Sequence, residues 1–502
     1  MRYGFVIDQD RCIGCHACTV ACKEEHQVPV GVFRTWVKYV EKGEYPHTSR
    51  HFGVLRCNHC DDSPCTEICP TKALFVRDNG IVDFDSQRCI GCKSCMQACP
   101  YDAIYIDPNT DTAAKCNFCA HRVEVSLEPA CVIVCPTQAI IAGDMDNSAS
   151  RVSRIVATQK VSVRKPQKGT QPKLFYVGIE GDLLQPTRLA RQSSYHWADR
   201  RNGDELLATT VAGLDTAQTR EVYDVPHPAP WGWKIGAYLW TKSIAAGVLM
   251  VAALLMSMYP DLETNLLGVV SPTIALIALA ATLGLLVHDL KRPDRFYYLL
   301  TKPNFRSWLV IGAYILMAYG AAALAWLVCG LRGTPVPGSL AWVAAALGAA
   351  SAGYSAFLFA QAKGRDLWQS PLFLWHLLVQ AMVAGSAVLI LAAAATGITL
   401  LVTPILLLLA LFLNLGMVVG DVVLPHVSED VKLAMRALTH GPLRARFWGT
   451  VAWGLIVPVL LSLMVWNGAA PVFAQVAAAL ALAGLWWFEA LWVKAGQAVP
   501  LS

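Results

Sequence analysis

Sixteen of the chain's 17 cysteines lie between Cys12 and Cys135, and they divide into four groups of four. The first is Cys12-x2-Cys15-x2-Cys18-x3-Cys22, followed by Cys57-x2-Cys60-x4-Cys65-x3-Cys69-Pro70. The third is Cys89-x2-Cys92-x2-Cys95-x3-Cys99-Pro100, and the last is Cys116-x2-Cys119-x11-Cys131-x3-Cys135-Pro136. A short loop with thiolates three residues apart wraps three corners of an iron–sulfur cube, while a fourth cysteine just before a proline points to a neighbouring cube. The third group matches that run letter for letter, and the first has Lys23 in place of the proline. Zinc sites need two C-x2-C pairs rather than a run of three plus one, and they leave the repeated Cys-Pro ending unexplained. Secreted disulfides fit neither the -C-I-G-C- repeated at Cys12 and Cys89 nor the N-terminus. The spacing predicts four [4Fe–4S] clusters with no group short of a ligand; Cys329 sits alone in an apolar run.

The elements that must hold these loops occupy less than half of the chain. Hydrophobic residues make up 55% of the 502 and charged residues 15%, against roughly 25% charged in a soluble domain. The chain is polar up to about residue 230, and beyond Trp231 it is dominated by Ala, Leu, Val and Gly. A net charge of +5 is small for this length and gives no case for nucleic acid. Eight runs reach the roughly 20 apolar residues needed to cross a bilayer: 235–259, 266–288, 308–329, 340–362, 372–395, 398–424, 447–466 and 472–493. Eight such runs in series do not fit a soluble core.

Between the two halves, Arg151 to Lys173 holds seven Lys or Arg and no acid. It reads as a solvated arm or as a docking strip for an acidic partner. Asp224-Val225-Pro226-His227-Pro228-Ala229-Pro230 is proline-spaced and leads to Trp231 and Trp233, which suit a membrane–water interface. The expected organisation is an α+β ferredoxin-like double domain at 1–185, an extended linker at 186–234, and an all-α membrane domain at 235–495.

Loops on the side of the cysteine domain carry Lys291, Arg292, Arg295, Lys302, Arg306, Lys363, Arg365, Lys432, Arg436, Arg444 and Arg446, with Lys494 after the last run. The opposite loops contain only Arg332, with Asp261 and Glu263 in the first. By the positive-inside rule the cysteine side faces the cytoplasm. Met1 to Asp10 shows no apolar h-region and no twin-arginine pair, which gives the same expectation.

On these motifs residues 1–185 resemble the four-cluster ferredoxin subunits of molybdopterin oxidoreductases, such as the dimethyl sulfoxide, polysulfide and formate enzymes. The likeness includes the insert between the first two groups and the segment Gln171-Pro172-Lys173-Leu174-Phe175-Tyr176-Val177-Gly178. The resemblance implies that first and fourth motifs exchange ligands, as do second and third. One cube then takes Cys12, Cys15, Cys18 and Cys135, and another Cys22, Cys116, Cys119 and Cys131. A third takes Cys57, Cys60, Cys65 and Cys99, and the last Cys69, Cys89, Cys92 and Cys95.

Residues 231–495 resemble the NrfD/PsrC family, the quinone-binding membrane subunits of polysulfide reductase and its relatives. The likeness lies in Tyr238-Leu239 with Ala246-Gly247, in Asp289-Leu290-Lys291-Arg292-Pro293-Asp294-Arg295-Phe296-Tyr297, and in Lys302-Pro303-Asn304 with Ser307-Trp308. This chain fuses the two subunits.

Charged groups in hydrocarbon are costly and mark functional sites. Lys242, His288, Asp289, Tyr354, Gln361, His376, Asp421, His426 and Glu489 all fall in the cytoplasmic half of their runs. A quinone headgroup needs a hydrogen-bonding group at each carbonyl and a source of two protons. Tyr354, Asp421 and Lys242 are the leading candidates for that site, with His288 and His376 as alternatives. Lys242 also reads as a snorkelling anchor, Asp289 as a partner of Arg292 or Arg295, and either histidine as a packing residue. Haem would need two facing histidines, and His288 with His376 is the pair to consider; the resemblance argues against it.

No residue pattern in the sequence reads as a pterin or substrate site. The expectation is therefore an iron–sulfur and quinone-reactive subunit of a membrane oxidoreductase, multi-pass in a bacterial inner membrane. It would carry electrons between a molybdenum or tungsten pterin partner and menaquinone or ubiquinone. A redox-driven proton pump is the alternative, and it requires polar groups through the full membrane thickness.

Overall fold

The computed structural model describes residues 1–191, 219–259, 265–398, 400 and 402–502. Asp261, Glu263 and the middle of the expected linker lie outside them. The N-terminal domain is built on two small sheets. In one, β1 (Tyr3–Asp8) is central, antiparallel to β8 (Ile140–Asp144) and parallel to β9 (Leu174–Val177). In the other, β2 (Thr35–Glu44) and β3 (His47–Arg56) form a hairpin that β11 (Thr219–Tyr223) and β10 (Ala190–Arg191) extend. Two short hairpins, β4–β5 (Leu74–Val76, Val82–Phe84) and β6–β7 (Ile104–Asp107, Thr112–Lys115), flank the middle cysteine groups.

The -C-I-G-C- repeat has a backbone cause. Gly14 and Gly91 sit at φ +70° and +68°, where a Cβ is penalised, and His16 and Lys93 follow at φ 59° and 62°. Two left-handed residues in three curl each loop before the helices Ala17–Glu25 and Ser94–Ala98 begin. The core is then made of the thiols themselves with Phe5, Ile68, Ile81, Tyr101, Phe118 and Leu174.

The second domain is a bundle of eight helices long and apolar enough to span a membrane. They are α1 (Trp233–Met258), α2 (Leu266–Asp289), α3 (Trp308–Leu331), α4 (Gly338–Ala360), α5 (Phe373–Thr396), α6 (Thr403–Val423), α7 (Arg444–Trp466) and α8 (Val472–Ala498). All eight expected runs are present, with ends shifted by a few residues. Helix α1 is central and packs against α2, α4, α5 and α8. Its Gly247 meets Gly385 of α5 with no space for a side chain on either, the close backbone approach on which helix association in lipid depends.

Two stretches are better tied down than the sequence suggests. Within the expected linker, Thr219–Tyr223 is a strand held between β2 and β10 in the sheet of the N-terminal domain. The basic stretch divides: Arg151, Arg154 and Lys160 are exposed, but Arg164, Lys165 and Lys173 are buried. Arg164 Nη2 donates to the Leu501 carbonyl at 2.9 Å, and Lys168 pairs with Asp366, so this strip docks on the chain's own membrane domain.

The proline-spaced segment is fastened by His227. Its Nδ1 lies 2.7 Å from Asp102 Oδ2, and Nε2 lies 3.0 Å from Ser502 Oγ and 3.5 Å from Asp224 Oδ1. Burial alone would lower this imidazole, but Asp102 and Asp224 outweigh it and push the pKa up to about 9. A raised pKa stabilises the fold fully below the free value of about 6.5, and the contribution is lost as pH climbs through the folded value. Thermal midpoints of the wild-type protein should therefore fall between about pH 6.5 and 9, and His227→Gln should flatten that slope.

Candidate functional site

The structure gathers the cysteines into four quartets. Cys12 feels Cys135 and Cys15, and Cys18 feels Cys12. Cys22 is surrounded by Cys116, Cys131 and Cys119. Cys57, Cys60, Cys65 and Cys99 line one cavity, and Cys69, Cys89, Cys92 and Cys95 line another. Neighbours across quartets set an order: Cys18 faces Cys131, Cys116 faces Cys57, and Cys95 faces Cys65. The quartets thus form a row. Its outer end carries exposed Cys15 with half-buried Cys12 and Cys135, whereas the inner quartets are largely buried.

The donor chemistry fits a cationic group at each centre. Burial first, and then repulsion from neighbouring thiols, pushes Cys92 and Cys119 up to about 12. Four such groups cannot ionise around one cavity without positive charge between them, and iron bound to thiolate supplies it. Fixed donors surround the sulfurs as well. Arg56, fully buried, places Nη1 3.0 Å from Cys131 Sγ, and His26 Nε2 lies 3.1 Å from Cys119 Sγ. Backbone amides of Gly91 and Ala113 both reach Cys89 Sγ at 3.4 Å. Such donors tune the reduction potential of an iron–sulfur centre.

The inner quartet is seated on the membrane domain. Arg295 Nη1 donates to the Cys89 carbonyl at 3.0 Å, Asn304 Nδ2 to that of Cys69 at 2.8 Å, and Trp231 Nε1 to that of Cys92 at 3.4 Å. Lys93 pairs with Asp289 at 2.8 Å, so Asp289 is held by the cysteine loop and not by Arg292 or Arg295. Arg365 is the centre of this seam. Its Nε donates to Gln97 Oε1 at 2.8 Å and its Nη1 to the carbonyls of Val499 and Gln497 at 2.9 and 3.3 Å.

Below the seam, α1, α5 and α8 line a narrow, partly open crevice of about 10 Å³, formed by Leu239, Phe373, His376, Leu377, Gln380, Phe488, Glu489 and Trp492. His376 Nε2 is 2.8 Å from Asp421 Oδ2 on α6, close contact without hydrogen-bond geometry, so both ring nitrogens and that carboxylate oxygen are without a hydrogen-bond partner among the described residues. Glu489 Oε1 accepts from Ser243 Oγ at 3.3 Å, and Oε2 is unpartnered. Lys242 does not snorkel. It is 1% exposed and donates to the Ala352 carbonyl at 2.8 Å and to Ser355 Oγ at 2.6 Å, with its ammonium 5.0 Å from the Tyr354 ring.

Of the expected residues, His376 and Asp421 come together at the cavity, and Lys242 and Tyr354 form a buried cluster one helix away. His288 stands apart, exposed on α2, with its carbonyl taking a bond from Lys234. His376 packs on Phe488 and Trp492 instead. Two lining residues fall outside the expected headgroup set. Glu489 is the only carboxylate of α8, and Gln380 follows His376 by one helical turn on the same face; both signals are present in the sequence.

Residues 221–500 match the polysulphide reductase NrfD family, residues 49–145 a 4Fe-4S dicluster domain and residues 3–24 a 4Fe-4S binding domain. Over 190 residues, 37% of the chain and 76% of the relative, it is 45% identical to a tetrathionate reductase subunit of Salmonella typhimurium. Over 179 residues, 35% of the chain and 94% of the relative, it is 41% identical to a polypeptide of the polysulfide reductase of Wolinella succinogenes. Protein NrfC of Escherichia coli is 42% identical over 190 residues, 37% of the chain and 85% of that protein.

Arg365→Met should open the seam. Leaving buried acceptors unpaired costs about 1–3 kcal/mol each, so hydrogen exchange should quicken at residues 95–99 and 495–501 while the rest of the bundle keeps its protection.

Proposed function

Because the chain belongs to the polysulphide reductase NrfD family and carries 4Fe-4S domains on the same polypeptide, we propose that it relays electrons between a pterin-bearing catalytic partner and a quinone. The chain is a multi-pass membrane protein of the kind found in reductase complexes. The single observation that carries the finer reading is the row of thiol quartets, which runs from an exposed end to a seam beside a cavity with ionisable walls. Iron–sulfur clusters bound by Cys12, Cys15, Cys18 and Cys135, by Cys22, Cys116, Cys119 and Cys131, by Cys57, Cys60, Cys65 and Cys99, and by Cys69, Cys89, Cys92 and Cys95 would supply four one-electron centres in series.

The chain's own residues do the rest. His376, 2.8 Å from Asp421, offers a ring nitrogen to one carbonyl oxygen of a quinone admitted as the side chains around the crevice part, and Glu489 Oε2 or Gln380 faces the headgroup from α8 and α5. An imidazole beside a carboxylate can pass a proton to or from the headgroup oxygen. Two electrons and two protons convert quinone to quinol; the reverse serves a reductase partner. Apolar walls of Leu239, Leu377 and Phe488 exclude bulk water from the exchange. The partner is a molybdenum or tungsten pterin subunit docked at the exposed quartet, and the cysteine domain faces the cytoplasm, in keeping with the basic loops on its side.

The pumping reading finds less support. Among the described residues, no Asp, Glu, Lys, Arg or His occupies the half of any membrane helix remote from the cysteine domain.

Iron analysis of the purified chain should give about sixteen atoms, falling by about four in Cys92→Ala; a value near eight in the wild type overturns the four-quartet assignment. His376→Ala and Asp421→Asn should each slow re-oxidation of the reduced protein by a quinone analogue by about 10²-fold with iron content unchanged. Wild-type rates in both variants would remove the quinone from this cavity.

A further inference from the structure

The ionisable walls of the cavity account for protons, but an electron must still cross an apolar layer between the innermost cysteine loop and that cavity. We infer that a file of packed aromatic rings, Trp231, Phe359 and Phe373, flanked by Trp368 and Trp492, is the electronic bridge across it. The inference rests on the quinone reading above and adds the path to it.

The file has defined ends. At the top, the Trp231 indole N–H points to the Cys92 carbonyl, and its backbone N–H and C=O are both clamped by the Gln497 side chain at 3.0 and 2.8 Å. From there ring centroids follow at 5.4 Å to Phe359 and 5.4 Å onward to Phe373. Trp368 lies 5.4 Å from Trp231 and 4.8 Å from Phe359, closing the gap beside them. At the bottom, Phe373 lines the cavity itself and stands 6.3 Å from Trp492, which lines it too and lies 6.2 Å from the His376 ring. All five rings are 6% exposed or less.

Tunnelling weakens exponentially with distance and most steeply across empty gaps, so rings in van der Waals contact give a stronger coupling than a looser aliphatic filling. The rings are neither oxidised nor reduced. Clusters held by the cysteine quartets would supply two electrons singly, each rising by one oxidation step, and one quinone would take both together with two protons from the His376, Asp421 and Glu489 side. Ring packing of this kind also simply fills a core, and the two readings differ in one measurable respect. A packing role shows in stability, cluster content or quinone affinity, whereas a bridging role shows in the rate of electron transfer at constant driving force.

Phe359 separates them best, because it is in the middle of the file and is not itself a lining residue of the cavity, which it reaches only through Phe373. Full-length wild type, Phe359→Leu and Phe359→Tyr, with clusters loaded and reduced, are mixed with a short-chain quinone in a stopped-flow instrument while iron–sulfur absorbance is followed. Iron content, midpoint potentials by electron paramagnetic resonance and quinone-analogue affinity are measured on the same samples. We expect Phe359→Leu to re-oxidise about tenfold or more slowly with iron, potentials and affinity unchanged, and Phe359→Tyr to keep the wild-type rate. Trp231→Leu against Trp231→Phe repeats the comparison at the top of the file. A leucine variant with wild-type iron and potentials that re-oxidises at the wild-type rate overturns the inference. Failure of quinone to re-oxidise even the wild type would instead bring down the quinone reading, and this inference with it.

Discussion

The seam between the inner cysteine loop and the membrane domain sets every distance on which electron transfer depends. Gln97 lies between Cys95 and Cys99, fully buried; its Oε1 accepts from Arg365 and its Nε2 donates to Gln497 Oε1 at 2.6 Å. A buried polar network is stable only when its members are satisfied together, so this one has a single register. Loss of that register would move the cysteine loop away from Trp231 and the cavity at once. Fusion of the two domains helps. The linker that places Trp231 also holds the partners at high effective concentration, so the seam need not supply the entropy of association.

Charge placement within the bundle follows the same logic. Buried ion pairs seldom stabilise a protein relative to apolar packing, and in hydrocarbon each charge is expensive. The chain nevertheless buries His376 with Asp421, Lys242 on Ser355, and Glu489 on Ser243, all in the half beneath the seam. Near the helix midpoints the backbones cross closely, as Gly247 on Gly385 and Gly454 on Gly484. That concentration makes functional sense where electrons and protons arrive from one side.

The cysteine domain was legible in sequence because its ligands are local. Three thiols within seven residues need only the turn that Gly14 or Gly91 permits, and spacing records it. The eight spans were legible because hydrocarbon demands length and apolarity, both visible in one dimension. Side-chain facing was not. His288 and His376 lie at similar depths along their helices, yet helix rotation puts one outside and the other against Asp421. The pairing of Lys93 with Asp289 and the burial of Arg164 depend on docking between segments far apart in the chain, which periodicity does not encode. The return of Thr219–Tyr223 to β2 was hidden for the same reason: a strand five residues long carries little pattern of its own.

The proposed conductor would end beside the crevice lined by α1, α5 and α8, where a quinone would bind. A cryo-electron density map of the full chain with a bound quinone analogue tests this most directly. The account predicts four cubane densities in a row, the innermost held by Cys69, Cys89, Cys92 and Cys95 above Trp231, with headgroup density between His376 and Glu489. Headgroup density on the lipid-facing side near His288, or an innermost cubane remote from the seam, would contradict it.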